Sequence, residues 1–199
     1  MMTKNELEST SLFKTLKILE SKGFQPEGFR YRKDIVYTEP TTHTHAIEKK
    51  SFPLYIDILV NAYPPSLYDI YPNSFFEVPL LEQVYSQQRY QVRLVSVSNI
   101  MFIPIREIII AMKIQSLLAR GTARHKKVKD LCDLYGLLWY SSRSVEELIK
   151  TTQKFVQRGS VEQLKKTIDS SLVNECEVLL GEPKGSVNTV LHALYDLRI

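Results

Sequence analysis

Lys113, Arg120, Lys129, Asp130 and Asp133 fall in one short stretch of the chain. They are the types needed to hold a phosphate. Lysine and arginine supply the N–H donors that phosphate oxygens accept, and neighbouring aspartates can orient those donors. The spacing is A-x-K-x-x-x-L-x-x-R, then K-D-x-x-D-L. In a helix starting at Pro104, Arg106, Lys113 and Arg120 form one stripe, because seven-residue steps drift by only about 20°. The rest of that helix is mostly Ile, Ala, Met and Leu, so it should be buried, and three cations in line on it call for something anionic. A phosphate-facing edge is one reading. The other is plain helix chemistry: cations near Arg120 and Arg124 suit a helix C-terminus, and Lys129 with Asp133 is an i,i+4 pair.

Three further groups carry candidate chemistry. Asp57 is a lone carboxylate in the apolar run PLYIDILVN, which is costly unless it is paired, near an edge or bound to a cation. His43-Thr-His45 puts two imidazoles on one side of an extended segment; with Asp57 they make a three-ligand metal site, and otherwise a polar loop. His125, Lys126, Lys127 and Lys129 form a basic turn, either solvated or in contact with a triphosphate or an RNA backbone. Ser/His/Asp and Cys/His arrangements have no local signature, and seven glycines form no phosphate-cradling loop.

The A-x-K and K-D-x-x-D-L segments together resemble the C-terminal half of the AbiEii-type, toxin-like nucleotidyltransferases, over roughly Leu12 to Tyr140. The resemblance implies that Lys113, Arg120, Lys129, Asp130 and Asp133 line a nucleotide pocket, and that Asp57 in YIDILV is the third, metal-side carboxylate. Nucleotidyl transfer uses two divalent ions, Mg²⁺ or Mn²⁺, because charge develops on both the attacking and the leaving oxygen. In that superfamily a Gly-Ser turn and a D-x-D or D-x-E pair come first. Here Gly159-Ser160 and Gly185-Ser186 lie in the helical half with no paired carboxylates after them, and Asp34 lacks an acidic partner two residues away. Three accounts fit: a truncated start, a second polypeptide supplying the motif, or transfer lost with binding kept. The isolated chain is therefore expected to show no robust transfer.

The elements that must position these residues can be read in order. Leu12, Phe13, Leu16 and Leu19 predict a helix over residues 7–22, capped by Thr3 or Ser9 and closed by Gly23. Residues 29–38 and 53–61 alternate as strands, the second with Leu54, Ile56, Ile58 and Val60 on one face. Residues 39–51 and 62–73 read as loops, and residues 75–81 and 90–97 as two more strands. Short connections favour an antiparallel or mixed sheet. After the paired helices that end near Tyr140, helices are expected over 145–157, 161–180 with a break near Asp169, and 187–197. Ser144/Glu147 and Ser160/Gln163 carry capping-box spacing.

Composition is that of an ordinary globular chain: 199 residues, 44% hydrophobic and 24% charged, which excludes a disordered class. The net charge of +4 lies wholly after Pro104, with 11 basic and 11 acidic residues before it and 15 and 11 after. That modest excess suits a nucleotide or an RNA end better than wrapping of duplex DNA. Cys132 and Cys176 read as reduced core residues. No apolar run reaches membrane-span length and no signal core precedes the first helix, so the expected location is cytoplasmic.

The expectation is an α+β chain. A partial, nucleotidyltransferase-like sheet domain with an N-terminal helix spans 1–103, and a helical bundle spans 104–199. It would bind a nucleoside triphosphate in a basic cleft between sheet and helices. The alternative is a non-catalytic module for nucleotide, RNA or a protein partner, either antitoxin-like or supplying the missing motif.

Overall fold

The computed structural model describes residues 8–28, 30–40, 47–60, 76–95 and 100–195. The fold is α+β, with an N-terminal helix, small sheets and C-terminal helices. The chain divides into two compact units, Met1–Leu81 and Glu82–Ile199, which groups the last hairpin with the helices.

In the first unit, helix α1 (Ser11–Ser21) is capped by Thr10, whose hydroxyl accepts from the Phe13 N–H at 3.2 Å. Ser9 is thus not the cap, and Thr3 lies outside the described residues. Lys22 closes the helix with Gly23 next. Strands β1 (Gln25–Glu27), β2 (Arg30–Pro40) and β3 (Ile47–Asp57) form an antiparallel sheet in the order β1-β2-β3. Part of the segment read as a loop over 39–51 is therefore strand. The apolar alternation of the next segment holds toward its end: Ile56 and Ile58 are half-buried and Val60 is buried, while Leu54 is exposed. Its last residues leave the sheet as β4 (Leu59–Val60), parallel to β5 (Phe76–Glu77). Leu16, Phe24, Tyr31 and Val60 form the core of this unit, with Leu12, Phe13, Leu19, Ile56 and Ile58 around them.

Residues expected to continue as strand through Leu81 instead turn into helix α2 (Leu80–Ser86). Leu80, Leu81 and Val84 are buried, a spacing that serves a helix face and not a pleated strand. A short 3₁₀ turn (Gln88–Tyr90) leads into β6 (Gln91–Val95), which pairs antiparallel with β7 (Ile100–Pro104). The β7 strand was not anticipated, and Pro104 ends it instead of opening the following helix.

Helix α3 (Arg106–Ala119) buries Ile108, Ile110, Ala111, Ile114 and Leu117. Gly121, at φ +50°, takes the left-handed turn just past its end. Helix α4 (Arg124–Trp139) packs along α3 and buries Val128, Leu131, Leu134, Tyr135 and Leu138, which share one face at helical spacing. Helices α5 (Val145–Thr152), α6 (Ser160–Thr167), α7 (Ser170–Leu180) and α8 (Ser186–Tyr195) complete the bundle, and α8 packs against α4 to α7. Ser144 caps α5 by accepting from the Glu147 N–H at 3.2 Å. The expected Ser160 cap is overturned: Ser160 is a buried helical residue and Gly159, at φ 82°, is the N-cap. The break near Asp169 is a real boundary, because its carboxylate accepts the Leu172 N–H at 2.7 Å and starts α7.

Candidate functional site

Two helices meet around one carboxylate. Asp130, on α4, is 1% exposed, and three donors from α3 converge on it. The Lys113 ammonium reaches Oδ1 at 3.2 Å, while Ser116 Oγ and Arg120 Nε reach Oδ2 at 2.9 and 2.7 Å. Asp133, one helical turn further on, accepts from Lys113 at 2.6 Å. Both helices contribute because of their periods. Lys113, Ser116 and Arg120 stand at i, i+3 and i+7 on α3, and Asp130 and Asp133 at i and i+3 on α4.

The anion that the cationic stripe called for is thus supplied by the chain itself. Burial is the largest influence on Asp130 and alone would raise its pKa, but the bonds from Arg120, Ser116 and Lys113 outweigh it and hold the carboxyl below its ordinary value. Burial likewise pulls the Lys113 ammonium down, and its bonds to Asp133 and Asp130 bring it above its ordinary value. Asp130 and Lys113 are therefore charged near neutral pH, and the cluster sets two acidic side chains against two basic ones. Donor capacity is left over. Lys113 uses two of its three N–H bonds, and Arg120 is held through Nε, with no partner for its terminal nitrogens among the described residues. Side-chain exposures of 29% and 33% leave Lys113 and Arg120 within reach of solvent.

Lys129 is not brought into this cluster. It is exposed and forms no ion pair among the described residues, so the anticipated Lys129–Asp133 pair is replaced by Lys113–Asp133. Asp130 is buried against α3. Arg106 is half-buried and likewise unpaired among the described residues. From the basic turn, Arg124 bonds to Glu175 and Ser171, tying α4 to α7. His125 borders an open groove of about 530 Å³ with Val128, Ser171, Asn174, Glu175, Val178 and Leu179.

Asp57 belongs to the other unit, at the end of β3, where it lies opposite Arg30 on β2. Arg30 Nε stands 3.1 Å from its Oδ1, so a cross-strand partner compensates the lone carboxylate. His43 and His45 lie outside the described residues, and among the described residues no cluster of three metal-ligating side chains occurs. Cys132 and Cys176 are free, buried thiols whose Sγ atoms stand 3.1 Å apart.

Ser116 was missed, although its spacing from Lys113 and Arg120 placed it on their stripe. Also missed was Glu107, a buried carboxylate that accepts from Arg143 at 2.6 Å and from Thr151 at 3.3 Å. No local signal could have found that contact, since its partners lie 36 and 44 residues away. No helix among the described residues is long and apolar enough to cross a membrane. Comparison with protein-family models, with curated proteins and with solved structures finds no match to this chain.

Proposed function

We propose that this chain is a nucleotidyltransferase-like protein of the AbiEii kind that binds a nucleoside triphosphate through Lys113 and Arg120. The observation that supports the reading is the convergence of Lys113, Ser116, Arg120, Asp130 and Asp133. Asp130 and Asp133 fix the two cations, which keep free N–H groups for phosphate oxygens. Arg106 and Lys129 add positive charge on the same two helices. The resemblance gives Asp57, which belongs to the other unit and is paired with Arg30, the role of metal-side carboxylate for Mg²⁺ or Mn²⁺. One aspartate does not hold two metals, so the function proposed is binding, with transfer waiting on a partner chain that brings further carboxylates.

The equal count of charges favours a second reading, in which the cluster is a clasp between α3 and α4 and the chain binds RNA or a protein partner elsewhere. Calorimetric titration of ATP, GTP, CTP and UTP with Mg²⁺, into the parent chain and into Lys113→Ala, separates the two. Asp130 keeps Ser116 and Arg120 in that variant, so the bundle persists. Saturable binding that the variant loses supports the nucleotide site. Absence of heat with all four, or binding unchanged in Lys113→Ala, overturns it. Incubation with labelled nucleotides and RNA tests the catalytic half. Incorporation that Asp57→Ala abolishes would make the isolated chain an enzyme.

A further inference from the structure

The hairpin of β6 and β7 is largely exposed, and its only charged side chain is Arg93. Val92, Leu94, Met101 and Ile103 make up one face with no charge on it; on the other, Phe102 is 62% and Val95 69% exposed. No third strand pairs with either edge among the described residues. A lone two-stranded ribbon is marginal in water, and an uncharged edge invites another strand.

The register shows which edge is ready. The Ile105 N–H donates to the Tyr90 carbonyl at 2.9 Å, and bonded pairs alternate along an antiparallel ladder. Val92·Ile103 and Leu94·Met101 are therefore the bonded pairs. Ile100 and Phe102 on β7, and Arg93 on β6, turn their N–H and C=O groups outward. Pro104 falls at an outward position, where its missing donor costs the hairpin nothing.

We propose that two copies of this chain associate through the outer edges of β7, antiparallel and centred on Phe102, to form a four-stranded sheet. In this pairing the two Phe102 residues exchange backbone bonds and stack side by side, and each Ile100 N–H donates to the carbonyl of Pro104 in the partner. The edge carries no charge to repel its copy. The β6 edge is the poorer self-pairing edge, because centring on Arg93 would set two guanidinium groups opposite each other. A contact this small lies at the weak end of specific interfaces, with Kd on the order of 10 μM.

Sedimentation equilibrium from 1 to 500 μM tests the pairing on the parent chain and three variants. Phe102→Pro removes the outward N–H without breaking a bond inside the hairpin. Phe102→Lys keeps that N–H but opposes two charges. Arg93→Pro makes the corresponding change on the β6 edge. A parent dimer lost in both Phe102 variants and kept in Arg93→Pro is expected. A parent that stays monomeric to 500 μM overturns the proposal, as does a dimer that survives Phe102→Lys or is lost in Arg93→Pro. If Phe102→Pro fails to fold, Phe102→Lys decides, since its side chain is exposed.

Discussion

Replacing Asp130 by asparagine keeps the shape of the side chain and removes the charge on which Lys113 and Arg120 rest. Breaking a buried ion pair from one side costs about 3–5 kcal/mol when the orphaned charge stays dry. Here the two cations are about a third exposed and can rehydrate, and Lys113 keeps Asp133, so the expected loss is about 2–3 kcal/mol. The second unit has about 120 residues, which at about 2.1 cal/mol/K per residue gives an unfolding entropy near 0.25 kcal/mol/K. The melting temperature should then fall by about 10 °C. The sign of the pH dependence follows from the depressed pKa of Asp130. Its stabilisation is complete above the unfolded carboxyl value of about 3.9 and disappears as pH falls through the folded value. Thermal unfolding followed by circular dichroism from pH 7 down to pH 3 should therefore show a wide gap between parent and variant at neutral pH that narrows below about pH 4. A variant melting within 2 °C of the parent at pH 7, or a gap that does not shrink in acid, would refute the view that α3 and α4 are joined through a charged Asp130.

Three smaller perturbations follow from other contacts. Glu177 is buried and accepts the backbone N–H groups of Gly185 and Val187 at 2.9 and 3.2 Å; Glu177→Ala should cost roughly 2 kcal/mol and speed hydrogen exchange at both amides, and unchanged exchange would count against it. Gly159→Ala places a side chain at φ 82°, so a loss of about 1 kcal/mol is expected in denaturant unfolding. Burial raises the pKa of both Cys132 and Cys176, so a disulfide reagent at pH 8 should label the folded chain at least ~100-fold more slowly than the unfolded one; equal rates would show that the thiols are open to solvent.

The sequence by itself located helices α3 and α4, the start of α5 and the boundary at Asp169. Each of these rests on contacts within a few residues: the 3.6-residue period, a capping oxygen three residues from its amide, a glycine after the last turn. It also picked out the cationic stripe and saw that something anionic had to meet it. Only the tertiary structure decided that Asp130 and Asp133 are that anion, and that Lys113, not Lys129, pairs with Asp133. Those contacts depend on how two helices lie side by side, and no spacing along one helix reports that. The same limit hid strand β7, whose alternation emerges only once Val92 and Leu94 are set against Ile103 and Met101. It hid the pairing of Asp57 as well, because Arg30 becomes its neighbour only through the register of two strands joined at their far ends.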